Sequence, residues 1–205
     1  MDKKEASGAE AFVLPSEYLG FPAVIKVRPS KPYRIPELDK HIRTVRTKNE
    51  ARIMHEARLC GVRTPCIYDI NLQECSITME FMEGITVNES VSSAPESALP
   101  LAILIGKTVA KLHSAKICHG DLTTSNMILL KNGELCLLDF SMGCTKASLE
   151  DVGMDLRLLE RAFRSAHAKH EHEADVMLET YFANIPEPEP VRKKLEEIRN
   201  RGRYT

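Results

Sequence analysis

The sequence predicts an α+β fold in two parts, a small antiparallel sheet with one long helix followed by a mostly helical body. Two short runs rich in strand-forming residues, AEAFVL and PAVIKV, open the chain and flank the turn-rich PSEYLGF. An apolar stripe with helical spacing begins near Glu37 and stops at Gly61. After Gly84 helical patterns dominate, starting with SALPLAILIGKTVAKLHSAK. Two such parts leave a cleft between them, which is where a ligand is expected.

The joint between the parts is predicted at residues 82–84, which gives an N-terminal lobe of residues 1–82 and a C-terminal lobe of residues 83–205. In the first lobe, CIYDINL and SITMEFM predict a hairpin. In the second lobe, MILL and LCLLDF predict another, because the Asn132-Gly133 pair between them favours a tight turn. From Leu149 onward the chain is predicted to be mostly helical.

The composition is that of an ordinary globular chain, with 205 residues, 43% hydrophobic and 28% charged, and a net charge of −1. A net charge this close to zero does not indicate that the chain as a whole binds nucleic acid. No apolar run approaches the roughly 20 residues of a membrane span, and the N-terminus MDKKEASGAE has no apolar segment typical of a signal peptide. The expectation is a protein of the cytoplasm, with the nucleus as a further location and no membrane partner.

Neither the cysteines nor the histidines are arranged in the sequence as a typical metal site. No two of the six cysteines form a C-x-x-C pair, so reduced thiols are expected rather than a zinc ribbon. His167, His170 and His172 lie in a polar segment rich in Lys and Glu, without a neighbouring Cys. They are expected at a solvated helix end or in a loop.

The stretch ICHGDLTTSNMILL places polar residues in a loop between two apolar runs. Asn126 follows Asp121 by five residues, and Asp139 follows it by eighteen, directly beyond the strand LCLL. If the two strands pair as a hairpin, the loop before the first and the residue after the second lie at the same end. Two carboxylates and an amide oxygen are hard ligands that suit Mg²⁺.

A lysine suited to phosphate lies upstream. Lys26 sits in the middle of a predicted strand, where it needs an anion, and Glu50 on the long helix can supply one. In kinase-type phosphoryl transfer, such a Lys–Glu pair binds the α- and β-phosphates of ATP, a loop Asp handles the nucleophile, and an Asn and a second Asp bind Mg²⁺. Each residue alone could be a cap or a surface charge, but their order along the chain is specific. The candidate catalytic residues are Lys26, Glu50 and Asp121, the candidate Mg²⁺ ligands are Asn126 and Asp139, and ATP and Mg²⁺ are the expected cofactors.

The chain resembles the small atypical kinase/ATPase subunit of the KEOPS (EKC) complex, also called the p53-related protein kinase family. The resemblance covers nearly the whole chain and rests on these stretches: GAEA, VIKVRPSKPYRIPELD, RTKNEA, HGDLTTSN, LLDFSMG, EDVGMDLRLLERAFRSAH and RNRGR. It implies a minimal bilobal protein-kinase-like fold related to the RIO kinases. It also implies Mg-ATP as ligand, with Gly8 near the phosphates, Met79 at the back of the pocket, and the backbone of Glu80 and Met82 bonded to the adenine edge.

The resemblance further implies an activity and partners. The family subunit is an ATPase with residual Ser/Thr kinase activity, in a complex that makes the threonylcarbamoyl modification of adenosine in tRNA. The threonylcarbamoyl transferase subunit would bind the C-terminal lobe, and a small regulatory subunit would bind the N-terminal lobe. Contact with tRNA would occur through the complex.

Several features depart from a protein kinase. About ten residues separate Asp139 from the next predicted helix, too few for the segment that docks a substrate peptide, which favours ATP hydrolysis. SGAEAF carries one glycine where the kinase pattern has three, so the backbone should cradle phosphates weakly. Ser141 replaces the Gly of D-F-G, which costs about 1 kcal/mol if that position requires a positive φ. The basic runs VRKK and RNRGR could contact tRNA or form solvated helix ends.

Two other functions remain open at this point. A small-molecule phosphotransferase would share HGDxxxxN, but the 66 residues after Asp139 leave little room for its usual substrate domain. A non-catalytic adaptor would keep the fold without turnover, as Ser141 and the sparse glycine loop suggest. The complete set of Lys26, Asp121, Asn126 and Asp139 argues against an adaptor.

Overall fold

The computed structural model describes residues 6–7 and 11–201 and has the predicted two-part α+β architecture. Its strands are β1 (Ala6–Ser7), β2 (Phe12–Tyr18), β3 (Phe21–Val27), β4 (Ile67–Asn71), β5 (Ser76–Glu80), β6 (Gly84–Thr86), β7 (Ile117–Cys118), β8 (Met127–Leu130), β9 (Leu135–Leu137) and β10 (Cys144–Thr145). Its α-helices are α1 (Pro36–Leu59), α2 (Val87–Ser93), α3 (Ala98–Ser114), α4 (Leu149–Ala166), α5 (Glu171–Ala183) and α6 (Pro188–Arg201).

The N-terminal sheet is antiparallel, with strand order β1-β2-β3-β5-β4. The first hairpin turn is shorter than PSEYLGF suggested, because β2 continues to Tyr18. Leu19 and Gly20 make the turn with φ values of 50° and 85°. Two consecutive positive φ values suit a two-residue turn that follows the twist of the sheet. The second hairpin, β4–β5, is as predicted.

Helix α1 packs its apolar stripe inward beside this sheet. It begins with Pro36, whose missing N–H costs a helix nothing in its first turn. It ends one residue before Cys60, and Gly61 follows with a φ of 80°. The buried positions include Ala51, Ile53, Met54 and Ala57, and also Glu50, a charged residue that has to be paired at this depth.

The C-terminal lobe combines helices α2–α6 with two small sheets, β6-β8-β9 and β7-β10. The β8–β9 hairpin turns at Gly133, which has a φ of 83°, as the Asn-Gly pair predicted. The Leu138 N–H donates to the Asn126 carbonyl at 2.9 Å, so the start and the end of this hairpin meet. The chain enters this lobe at β6, which pairs with β8.

The expectation of a solvated segment is wrong for His167. This residue caps the end of α4 and is only 5% exposed. Its Nε2 lies 3.2 Å from the Thr124 hydroxyl, within the polar loop that the sequence singled out. His170 does lie at a helix start, and His172 is exposed. The polar residues that surround His167 in the sequence suggested exposure, but its own side chain is buried.

Helices α3 and α5 approach closely at Gly106. A Cβ at this position would lie 2.5 Å from the Met177 carbonyl oxygen. We expect Gly106→Ala to lower the free energy of unfolding by about 1 to 3 kcal/mol through overpacking. Urea denaturation would measure this, with Ser114→Ala at the exposed end of α3 as the control. Equal stability of the two variants would contradict the close approach.

Candidate functional site

A cavity of about 840 Å³ lies between the sheet with α1 and the C-terminal lobe. It is lined by the seven described candidates from the sequence: Lys26, Glu50, Glu80, Met82, Asp121, Asn126 and Asp139. Met79, expected at the back of the pocket, also lines it. Gly8 lies outside the described residues. The volume falls within the range of small-molecule pockets in proteins.

Lys26, in the wall of the cavity, is held between two carboxylates. Its Nζ lies 2.7 Å from Glu50 Oε1 and 2.6 Å from Asp139 Oδ1. Lys26 is 5% exposed and Glu50 is 1% exposed, so the ammonium is fixed at low dielectric. A cation held in this way is already placed for an anionic ligand, because little rearrangement remains to be made on binding.

Arg28 is a second buried cation that sequence reasoning missed. Its guanidinium pairs with Glu50 Oε2 and is only 3% exposed. It also lies 3.5 Å from the Thr47 hydroxyl. Strand periodicity was the available signal, since side chains two residues apart share a face and Arg28 follows Lys26 by two. Glu50 therefore neutralises two cations.

The loop His119–Asn126 is organised by its own polar groups. His119 is fully buried, donates from Nε2 to the Leu138 carbonyl at 2.7 Å and accepts the Asp121 N–H at Nδ1, 3.2 Å away. Burial lowers the pKa of His119, which agrees with a neutral ring in this role. Asn126 Nδ2 donates to the Asp121 carbonyl and to Asp121 Oδ2, both at 2.9 Å. Since Asn126 uses its nitrogen here, Oδ1 is the atom that it could offer to a metal ion.

Asp155 on α4 lies beneath this loop and was also missed. Its carboxylate accepts the backbone N–H groups of His119 at 2.7 Å and Gly120 at 2.9 Å. Asp155 shares the buried face of α4 with Val152, Leu156 and Leu159. An acidic residue within that apolar stripe was the sequence signal, because a buried carboxylate needs partners.

Because Asp155 is buried and ionised, the free energy of unfolding should depend on pH in the acidic range. Burial would raise the pKa of Asp155, but the hydrogen bonds from His113 and from the His119 amide hold it below the ordinary value of 3.8. A lowered pKa gives stability that is present above about pH 4 and is lost as the pH falls through the folded-state pKa. We expect Asp155→Asn to flatten the decline of the unfolding free energy between pH 5 and about pH 2, measured by urea titrations. An unchanged slope, with Asp69→Asn on the surface as control, would contradict this.

Asp139 is the residue in an unusual backbone conformation, with a φ of 60°. Ser141 is not among the described residues with positive φ, so the strain considered for its replacement of Gly does not arise there. Burial would raise the pKa of Asp139, but the Lys26 ammonium and hydrogen bonds from Ser141 outweigh it and hold the pKa at about 2. Asp139 is therefore ionised at neutral pH. An ionised carboxylate together with Asn126 Oδ1 is an oxygen donor set that fits Mg²⁺.

The segment after Asp139 is short and is fastened to α1. Helix α4 begins at Leu149, ten positions after Asp139, which agrees with the short segment predicted. Asn49 Nδ2 donates to the Gly143 carbonyl at 3.0 Å, and Arg52 donates to the Thr145 hydroxyl at 2.8 Å. The position of Asp139 thus depends on the helix that also carries Glu50.

Residues 79–82, which lead into the predicted joint between the lobes, form one wall of the cavity. The Glu80 N–H already donates to the Cys66 carbonyl at 2.8 Å. The Glu80 carboxylate accepts from Arg63 at 2.5 Å and from the Cys66 N–H at 2.9 Å. The Glu80 backbone could therefore accept a hydrogen bond from an adenine edge at its carbonyl. Met82 could donate one from its backbone N–H.

Comparison with known proteins identifies the family. The RIO-domain model matches residues 34–177. The chain is 38% identical over 207 residues to the KEOPS complex subunit Bud32 of Pyrococcus abyssi, covering 96% of this chain and 94% of that protein. This chain belongs to the family of RIO-like KEOPS kinase subunits. The resemblance predicted from the sequence is confirmed.

Other relatives of these RIO-like subunits are longer. The chain is 40% identical over 206 residues to a probable bifunctional tRNA threonylcarbamoyladenosine biosynthesis protein of Methanobrevibacter smithii, all of this chain matching 37% of that protein. It thus spans little more than a third of the bifunctional relatives. The Rio2 kinase–ADP/Mg²⁺–phosphoaspartate complex from Chaetomium thermophilum superposes with a TM-score of 0.65 at 14% identity, over 99% of this chain and 71% of that chain. The bilobal kinase-like fold is thereby confirmed.

None of the helices described in residues 11–201 has the length and apolar character needed to cross a bilayer.

Proposed function

We propose that this RIO-like subunit binds Mg-ATP in the cavity and hydrolyses it or transfers its γ-phosphoryl group, within a KEOPS-type complex that supports threonylcarbamoyl modification of tRNA. The observation that carries the proposal is that Lys26, Asp121, Asn126 and Asp139 line one cavity. These are the residue types that phosphoryl transfer requires, in the required chain order.

Each residue has a role in the proposal. Lys26, oriented by Glu50, would bind the α- and β-phosphates, and Asn126 and Asp139 would hold Mg²⁺. Bound Mg²⁺ would neutralise charge on the phosphate oxygens. Asp121, fixed by Asn126 at 2.9 Å, would orient the attacking water or hydroxyl. Positioning and electrostatics supply most of the catalysis in such reactions, so rigid placement is what the protein has to contribute.

The short segment after Asp139 favours hydrolysis, or transfer to a Ser/Thr of a bound partner, over phosphorylation of a docked peptide. Its contacts from Asn49 and Arg52 leave little freedom to rearrange around a substrate. The family resemblance supports the same assignment. It also supports binding of the threonylcarbamoyl transferase subunit through the C-terminal lobe and of a small regulatory subunit through the N-terminal lobe.

The basic side chains of α6 give limited support for direct tRNA contact. Arg192 pairs with Glu179, Arg199 with Glu160, and Arg201 with Glu150. These ion pairs attach α6 to α4 and α5. They also partly neutralise arginine charges that could otherwise bind RNA phosphates. Contact with tRNA is therefore proposed through the assembled complex.

The test is ATP hydrolysis with Mg²⁺, measured for this chain alone, with the threonylcarbamoyl transferase subunit, and with that subunit plus tRNA. We expect slow hydrolysis alone and faster hydrolysis with the partners. Partner binding without hydrolysis under any of these conditions would refute the ATPase proposal and favour an adaptor.

A further inference from the structure

A chain of hydrogen bonds links three helices of the C-terminal lobe beneath the catalytic loop. The Tyr181 hydroxyl on α5 lies 3.0 Å from Nδ1 of His113 on α3. His113 Nε2 lies 3.2 Å from Asp155 Oδ2 on α4. Asp155 in turn accepts the amides of His119 and Gly120, immediately before Asp121. Neither Tyr181 nor His113 has a direct role in the proposed reaction.

The burial of these groups fixes the direction of each hydrogen bond. Tyr181 is 1% exposed, His113 is 6% exposed and Asp155 is 4% exposed. Asp155 accepts two backbone amides, so it is the acceptor toward His113 Nε2 as well. Burial and the Asp155 charge raise the pKa of Tyr181, whose hydroxyl keeps its proton. If His113 Nδ1 also carried a proton, this hydroxyl would lose the acceptor found for it, which is costly at this depth.

Close packing of α3 on α5 brings Tyr181 to His113. Gly106 lies two helical turns before His113 on the same face of α3. A side chain at Gly106 would meet the Met177 carbonyl, one turn before Tyr181. The two rings meet edge to face, with centroids 5.4 Å apart and planes at 77°.

A metal ion is the competing explanation for this cluster. Potential ligand atoms of His113, Cys118 and Asp155 lie within 4.8 Å of one another, the one such group found in the described part of the chain. Both nitrogens of His113 and both oxygens of Asp155 are already engaged in hydrogen bonds. Burial raises the pKa of the Cys118 thiol, which disfavours the thiolate that would bind a metal. The hydrogen-bond network accounts for the cluster better than a metal site does.

We propose that Tyr181 and His113 are positioning residues for the proposed phosphoryl chemistry. The Tyr181 hydroxyl holds His113 as a neutral imidazole protonated at Nε2. That N–H and the two loop amides then fix the Asp155 carboxylate in one orientation. The loop backbone is held by Asp155, and Asp121 is directed into the cavity as a result. The inference rests on the proposed function for its kinetic readout and on the loop geometry for its spectroscopic one.

The decisive variant is Tyr181→Phe, which removes one hydroxyl and keeps the buried ring. We expect kcat for ATP hydrolysis to fall about tenfold, the scale on which supporting partners of active-site groups act, with KM for ATP unchanged. Tyr33→Phe, at a residue that is 76% exposed, is the control for hydroxyl removal. Phe182→Leu, beside Tyr181 and 5% exposed, is the control for a packing defect without a lost hydrogen bond.

Nitrogen NMR of histidine and amide hydrogen exchange test the network without turnover. In the wild type, His113 should carry its proton on Nε2 and leave Nδ1 unprotonated. In Tyr181→Phe, the fraction of His113 that carries a proton on Nδ1 should rise, and the His119 and Gly120 amides should exchange faster. Phe182→Leu should leave the His113 tautomer unchanged.

Three results would overturn the inference: wild-type kcat in Tyr181→Phe, a wild-type His113 protonated on Nδ1, or the same kinetic and NMR changes in Phe182→Leu. Failure of the proposed function has a different signature, namely absence of hydrolysis in the wild type with all partners present. In that case the NMR and exchange measurements still decide whether the network holds the loop.

Discussion

Asp139→Asn is expected to reduce Mg²⁺-dependent ATP hydrolysis by about a hundredfold or more, the scale on which loss of a preorganised electrostatic group acts. The change removes the ionised carboxylate proposed to hold Mg²⁺ and preserves its shape. Asparagine also tolerates the left-handed backbone that Asp139 adopts, with its φ of 60°. Lys26 keeps Glu50 as a partner at 2.7 Å, so the variant should remain folded.

The measurement is steady-state hydrolysis over a range of Mg²⁺ concentrations, with the partner subunit and tRNA present. A loss caused by weaker metal binding should be partly recovered at high Mg²⁺. Asp69→Asn, on the exposed side of β4, should behave as the wild type. Full hydrolysis in Asp139→Asn would show that the metal is held elsewhere, and the assignment of Asn126 would then lose its support too.

Much of the fold was predictable because several local sequence patterns independently indicate the same elements. The apolar stripe of α1, its stop at Gly61 and the Asn-Gly turn between β8 and β9 each have a short-range physical cause. The first hairpin was placed less well, because Leu19 adopts a positive φ that its residue type does not announce. The ends of the β8–β9 hairpin were placed correctly because pairing alone determines where they lie.

The site was predictable where chemistry and chain order coincide, and less so where burial decides. Lys26 stood out as a cation in an apolar strand, and the same reasoning applied to Arg28 would have placed both on Glu50. Asp155 was missed although the apolar stripe of α4 that contains it was visible in the sequence. His167 was misplaced for a different reason, because its neighbours in sequence are polar and its burial comes from helix packing that no local pattern records. The conformation of Asp139 likewise depends on contacts between α1 and the segment after it.

Glu50→Gln is expected to lower the free energy of unfolding by about 3 kcal/mol, as for removal of one partner from a buried ion pair. Lys26, Arg28, Glu50 and Asp139 form a group with two positive and two negative charges. Of the two carboxylates, Glu50 should contribute more to stability than Asp139, because it is 1% exposed and contacts both cations. The variant removes the carboxylate that both cations contact and leaves Lys26 with Asp139, and desolvated like charges repel strongly.

Urea denaturation of Glu50→Gln measures this cost, with Glu56→Gln as a control on the same helix, where the carboxylate is 37% exposed. The cause is isolated by a second change. If surplus buried positive charge is responsible, adding Arg28→Met to Glu50→Gln should restore part of the lost stability, while Arg28→Met alone should destabilise the protein. Such non-additivity is the signature of two groups that interact directly. Additive losses would mean that Glu50 and Arg28 act independently, and Arg28 would then have no part in holding Lys26 and Glu50 in place.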